Sequence, residues 1–373
     1  MAIQMIKFST VFSFLAGMLL TVVIYCSDVR MLFKQMSHFH CEDHGATNDT
    51  ATLSSQPFVI NQDKIIRIKQ ELNDSNSSPP AFSDGVHLWK YLMNNEHICS
   101  DTDMVDVVII VHTAPYNVER RQRIRQTYGS RSKFLPFQVR VVFLLGFTYT
   151  KTVEEKVKLE HRTYNDTIMG DFTDDYHNLT LKGVMGFRWL NEFCQNSRFV
   201  LKIDDDVMVN MYKLLFTFRS LMYNKKKSIF CNTWFKDTMP VLRNDKWKVE
   251  PHLFYKRKFF PYDYCSGFLV LFTSDMIQPM YEASKVVPFF WIDDVYLFGM
   301  LPSAVGGVTY HNLELGKYLS LSGVEALNCT QTLGTSCPML ASLVGASQFI
   351  NYWRVIEGIY ATQSWNVQSR FVE

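Results

Sequence analysis

RFVLKIDDDVMVN, residues 198–210, sets an apolar run directly against three consecutive carboxylates. Phe199 to Ile203 has the length of a strand, and Asp204, Asp205 and Asp206 follow it without a spacer. Adjacent carboxylates repel one another unless a cation or hydrogen-bond donors compensate. Asp204 and Asp206 bracket one residue, so both side chains, or one side chain and a water shell, can be aimed at a hard divalent ion such as Mg²⁺ or Mn²⁺. Such an ion also binds diphosphate oxygens and neutralises charge on a departing phosphate. Taken alone, Asp-x-Asp is equally a solvated acidic turn. The buried strand before it and a helix starting near Asn210 favour a metal and nucleotide-sugar site.

Working outward, strands and helices alternate. VDVVIIVH, Val105 to His112, is continuously apolar, as in a strand covered on both faces. NVERRQRIRQTYG reads as a helix ending at Gly129, with Val118, Arg121, Ile124, Arg125 and Tyr128 at helical spacing. A strand at Val139 to Gly146, a charged helix over 152–164, a short strand at Thr167 to Phe172 and a helix at Leu179 to Phe193 lead to the strand at Arg198 to Ile203. This alternation predicts an α/β sheet with right-handed connections and a folded region starting near Met104. Ligands of such sheets bind outside the carboxyl ends of the strands, where the aspartates fall.

A second acidic pair lies in FFWIDDVYLFGMLPSAVG, residues 289–306. Asp293 and Asp294 interrupt an otherwise apolar stretch, and two readings compete. One of them caps the helix that begins around Val295, accepting from its free amides. Alternatively, a carboxylate held in a partly dry pocket is a general base for an acceptor hydroxyl.

Composition narrows the class. The chain has 373 residues, 47% of them hydrophobic, with 38 basic and 36 acidic side chains. That excludes disorder and an acidic tail protein, and gives no reason to expect nucleic acid; Lys225 to Lys227 read as a solvated turn. Residues 8–27, FSTVFSFLAGMLLTVVIYCS, carry no charge and would rise about 30 Å as a helix, a bilayer's hydrocarbon thickness. The run ends in bulky Val22, Val23, Ile24 and Tyr25, a poor cleavage site, and reads as an uncleaved signal anchor behind a cytoplasmic tail of residues 1–7. One such run does not make a pump or a channel. Flanking charges leave its orientation open, and the downstream chemistry supplies it. Residues 28–100 read as a luminal stem and approach segment, because 28–80 are rich in Ser, Asn, Asp, Thr and Pro. Sequons fall at Asn48, Asn73, Asn76, Asn165, Asn178 and Asn328, and seven cysteines follow the anchor. Seven is odd, so one stays free or pairs between chains; Cys329 and Cys337 form the most plausible local pair. Asn178 is expected to be glycosylated less than Asn48, Asn73 or Asn76.

Six pieces then occur in a recognisable order: ERRQRIRQTYG (119–129), VVFLLG (141–146), DFTDDYHNLTLK (171–182), FVLKIDDDVMVN (199–210), YDYCSGFLVLFTSD (262–275) and IDDVYLFG (292–299). With these the chain resembles the β1,3-glycosyltransferase family, which includes β1,3-galactosyltransferases and β1,3-N-acetylglucosaminyltransferases anchored as type II proteins in the Golgi membrane. The resemblance implies a GT-A-like fold, with a mixed, mainly parallel sheet flanked by helices, in a catalytic domain over 101–373. It implies that Asp204, Asp205 and Asp206 form the metal motif, with Asp206 the direct ligand, and that Asp294 is the base. Arg121, Arg125, Asp175 and Lys182 would approach the donor, although helix arginines are as readily plain solvated charges. Cys265, Ser266 and Gly267 lie in the stretch beside the sugar and acceptor. Tyr128 stands where tryptophan is usual, and Asp293 where glutamate is usual. Trp234 and Trp291 are candidates for a platform under an acceptor sugar.

The activity so implied is inverting transfer of galactose or an N-acetylhexosamine from UDP-galactose or another uridine diphosphate sugar to a glycan on protein or lipid. Mn²⁺ or Mg²⁺ would be the cofactor, and a homodimer remains open. A membrane-tethered lectin of the same fold, or a cytosol-facing metal hydrolase, would be the competing classes.

Overall fold

The fold is seen in a computed structural model that describes residues 60–72, 85–86 and 90–362. The strands, in chain order, are β1 (Tyr91–Met93), β2 (Val105–His112), β3 (Val139–Phe147), β4 (Thr167–Thr173), β5 (Ser197–Asp204), β6 (Val207–Val209), β7 (Ser228–Trp234), β8 (Tyr264–Thr273), β9 (Thr309–Asn312), β10 (Leu319–Ser320) and β11 (Ala341–Leu343). Eight of them form one mixed sheet in the order β1-β4-β3-β2-β5-β8-β7-β9. The pairings β4/β3, β3/β2, β2/β5 and β7/β9 are parallel, whereas β1/β4, β5/β8 and β8/β7 are antiparallel.

The continuous apolar strands follow from cover on both faces. Val105, Val108 and Ile110 of β2 join one hydrophobic cluster with helix Leu179–Phe193, while Val107, Ile109 and Val111 join another with helix Ala346–Thr362. Side chains alternate across a strand, so both halves of the run are buried.

β5 and β6 are separated by two residues. β6 leaves the large sheet and pairs with β11, Val209 opposite Ala341 and Val207 opposite Leu343. Asp204, Asp205 and Asp206 therefore occupy the turn where the chain passes from one sheet to another, pinned on both sides. A sequence of only three apolar residues gave no sign of this second sheet. Between β7 and β8 a long excursion is organised by Arg243, which donates to the carbonyls of Val249, Glu250, Leu253 and Phe254.

The reading of 28–100 as stem needs correction at its end. Gln62–Leu72 is a helix whose Ile65, Ile68 and Leu72 enter the main core, β1 extends the sheet edge, and Cys99 is bonded to Cys194. Amphipathic spacing outweighs the polar average of the surrounding chain. Cys231–Cys265 and Cys329–Cys337 are the other disulfides among the described residues, the latter as expected. Residues 1–7, the apolar run 8–27, Cys41, Asn48, Asn73 and Asn76 lie outside the described residues. No described helix is long and apolar enough to cross a membrane.

Candidate active site

Parallel pairing aligns the carboxyl ends of β2 and β5, with His112 opposite Asp204. β8 runs the other way, so its first residues, including Gly267, reach the same edge. Among the three aspartates the middle one faces the protein. Asp205 is buried and accepts from Thr113 Oγ1 at 2.6 Å, Asn117 Nδ2 at 2.8 Å and Arg120 Nη1 at 2.7 Å. Asp204 and Asp206 face outward, their side chains 42% and 46% exposed. Burial and the neighbouring Asp204 raise the Asp206 carboxyl above its usual range, against the pull of Arg120 at 3.1 Å.

The second pair starts the helical segment Asp293–Val295. Asp294 Oδ2 accepts from the Gly267 amide at 3.0 Å. Burial, with Asp293 beside it, pushes the Asp294 carboxyl up to about 8. Lys202, buried in β5, joins the two acidic groups: its Nζ donates to Gly267 O at 2.6 Å and Asp204 Oδ1 at 2.9 Å. Burial pulls its pKa down, but Asp204, Asp293 and Asp294 outweigh that and hold the ammonium above its ordinary value. His112 is also buried, with Nδ1 at 3.9 Å from Asp293 Oδ2 and, among the described residues, no hydrogen-bond partner on either ring nitrogen. Burial, then Lys202 and Lys182, keep it neutral, well below the usual histidine range. Neither residue was singled out from sequence; a lysine and a histidine closing apolar strands were the available signals.

A family model described as Galactosyltransferase matches residues 119–314, over half of the chain. The chain belongs to the galactosyltransferase family. Its relatives include lactosylceramide 1,3-N-acetyl-β-D-glucosaminyltransferase A of Xenopus laevis, 30% identical over 273 residues, 68% of this chain and 71% of the relative. β-1,3-Galactosyltransferase 1 of Mus musculus is 30% identical over 213 residues, 57% of this chain and 64% of the relative. Both match the β1,3-glycosyltransferase family expected from the motifs, and the protein is a hexosyltransferase. Among solved structures, a galactosyltransferase in complex with donor and acceptor sugar analogues aligns with TM-score 0.30 and 11% identity, over 67% of this chain and 95% of that one.

In this galactosyltransferase-family protein the other expected site residues separate into two groups. Two are engaged by carboxylates of the protein itself. Arg121 is fully buried, bidentate on Glu160 at 2.8 and 2.6 Å, and donates to Ala114 O; Arg125 grips Asp166 at 2.7 and 2.8 Å. They fasten the loop after β2 and the helix behind it, and Arg120 instead sets a guanidinium on the acidic turn. Asp175 is exposed and caps the turn Tyr176–Asn178, whereas its neighbour Asp174 pairs with Lys182 at 2.9 Å. Lys182 is buried and donates to Thr113 O at 2.6 Å, so it braces the β2 end. Tyr128 fills its place in the core and donates to Val207 O at 2.7 Å, steadying the acidic turn.

Trp291 is buried beside the acidic pair; Trp234 is partly buried at the end of β7, opposite Tyr264. Ser266 is partly buried on β8, next to Gly267. Asn165 and Asn328 are exposed. Asn178 is half-buried, its amide donating to Thr173 O at 2.9 Å. A cavity of about 300 Å³ opens beside the acidic turn, with Arg120, Arg123, Asp205, Asp206, Gly345 and Phe349 in its lining.

Proposed function

We propose that this hexosyltransferase uses a uridine diphosphate sugar and inverts the anomeric centre, with Asp294 as the base. The observation that carries this reading is the Asp294 carboxyl, pushed up to about 8 by burial and Asp293 and aimed by the Gly267 amide. A base works best when its pKa lies near the working pH. Asp294 takes the acceptor hydroxyl proton as that oxygen attacks the anomeric carbon. The bond from that carbon to the phosphate oxygen breaks, uridine diphosphate departs with the bonding pair, and an α-linked donor gives a β-linked product. Lys202 keeps positive charge between Asp204 and the acidic pair while the proton moves.

Asp204 and Asp206 would hold Mn²⁺ or Mg²⁺, and their half-exposed outward carboxylates fit it. No group of three metal-binding side chains occurs among the described residues. These ions keep several waters and take substrate phosphates, so a complete protein cage is not required. Bound there, the ion supplies charge neutralisation on the diphosphate. The cavity beside Arg120 and Arg123 is the place for the nucleotide.

The donor is galactose or an N-acetylhexosamine, transferred in β1,3 linkage to a glycan on protein or lipid. The Xenopus relatives, whose names specify N-acetylglucosaminyl transfer to lactosylceramide, favour N-acetylglucosamine as the second reading. Residues 8–27 would anchor the enzyme in the Golgi membrane as a type II protein, and three disulfides suit that oxidising side. Asp294→Asn should retain donor binding and lose about 10² to 10⁴ in turnover. Wild-type turnover in that variant would refute the assignment.

A further inference from the structure

A group of aromatic side chains outside the reaction scheme lies on one wall. Trp291, three residues before Asp294, meets His177 at 4.5 Å between ring centroids and Tyr176 edge-on at 6.3 Å. The Tyr176 hydroxyl accepts from Trp247 Nε1 at 2.9 Å, and Lys246 Nζ lies 4.3 Å from the Tyr176 ring centre and 5.4 Å from that of Trp247. The wall thus runs from the acidic pair to the excursion between β7 and β8, through three segments far apart in sequence.

Its outer faces are open. Tyr176 is 38% exposed and Trp247 48%. At its root, Trp291 is only 8% exposed, and its indole N–H is buried without an acceptor among the described residues. Large aromatic faces held rigidly at the mouth of a site match the C–H faces of a pyranose ring, and an unpaired donor beneath them awaits an oxygen.

Topology gives the side. The excursion leaves the carboxyl end of β7 and returns at the amino end of β8, the edge that carries Asp204 and Gly267. In the strand order, β5 lies between β8, where it ends, and β2, whose following helix carries Arg120. The excursion therefore reaches the edge that carries the base from the β8 side, away from Arg120, and in this placement it borders the acceptor.

Charge narrows the acceptor. Residues 235–263 hold seven Lys or Arg against four Asp or Glu, a net +3 in a chain whose total is only +2. Lys246 and Lys248 are exposed beside Trp247, and Lys246 makes no ion pair among the described residues. An ammonium held over two rings, with no carboxylate of its own, is placed for an anion bound on those rings.

We propose that Tyr176, Trp247 and Lys246 form an acceptor subsite for an acidic glycan. The sugar adjoining the one that receives the hexose rests on the two rings, and its carboxylate or sulfate meets Lys246. This rests on the transferase reading above.

The test uses the full-length enzyme in detergent with three matched disaccharide acceptors: neutral, sulfated, and with a uronic acid at the adjoining position. Acceptor KM and kcat are measured at low and high salt, and binding is followed separately by saturation-transfer NMR in the presence of uridine diphosphate. One or both anionic acceptors should show a KM roughly three- to fivefold below the neutral one, the size of one exposed ion pair, with the difference fading in salt. The better of the two identifies the anion. Lys246→Met should erase the difference, and Trp247→Ala should raise KM for all three, with donor KM unchanged. Equal KM values for all acceptors, or an unchanged preference in Lys246→Met, would overturn the subsite and leave the transferase reading intact. Absence of transfer to any acceptor would count against the transferase reading, while the NMR titration still judges the subsite by whether anionic binding is lost in Lys246→Met.

Discussion

Replacing Gly267 with alanine removes no group from the site and should still silence most of it. The added Cβ would stand 1.7 Å from Asp294 Oδ1 and 2.7 Å from its Cγ, inside the 3.0 Å below which something must shift. The carboxyl must therefore retreat by at least about 1.3 Å, losing the amide that aims it. Gly267 does not occupy the left-handed region, so the backbone accepts alanine without strain and the perturbation falls on Asp294. A misplacement of about 1 Å costs about 10²-fold in rate, equivalent to about 2.7 kcal/mol of barrier. Gly267→Ala is thus expected to lower kcat about 10²-fold, with donor KM within about twofold of wild type. Initial rates of hexosyl transfer, beside a thermal melt confirming an intact fold, measure this. Wild-type kcat in a folded Gly267→Ala protein would refute the placement of Asp294 as the base.

Four further outcomes follow from the same geometry. Because the base must be deprotonated, kcat/KM should rise with pH up to about 8, and Asp294→Asn should flatten that limb; a rate falling over this interval would contradict it. In stability the sign is opposite: the folded carboxyl keeps a proton that the unfolded chain has released, so Asp294 erodes stability as pH climbs from the ordinary carboxylate range through about 8, and melts across that range should show it. His112→Leu replaces two buried nitrogens without partners by apolar atoms and should raise stability by about 1 kcal/mol in denaturant titration, whereas a loss would mean the imidazole is satisfied. Peptide mapping of the protein expressed through a secretory host pathway should find Asn165 and Asn328 glycosylated more fully than Asn178, whose amide is already engaged.

Much of the sheet was legible because its strands are buried on both faces. The bounds of β2 and of helix Leu179–Phe193 coincide with the apolar runs that announced them. The two acidic groups were legible because carboxylates amid apolar residues are costly without compensation. What was hidden depends on pairing across the chain. Lys202 acquires its role from Gly267 on the neighbouring strand, and His112 is brought beside the acidic pair by a helix that begins at Asp293. Arg120, Arg121 and Arg125 share one short helix, and sequence does not say which face meets Glu160 and which meets Asp205; one residue turns a side chain by about 100°. Helix Gln62–Leu72 was missed for another reason: its apolar spacing is local, and the Ser- and Asn-rich chain around it dominates any longer average.

The stereochemistry of the product tests a single displacement most directly. An α-linked uridine diphosphate hexose, incubated with the enzyme, Mn²⁺ and a simple glycan acceptor, should give a new linkage whose anomeric proton coupling in NMR identifies it as β. An α-linked product would mean retention, and it would contradict a single displacement driven by Asp294.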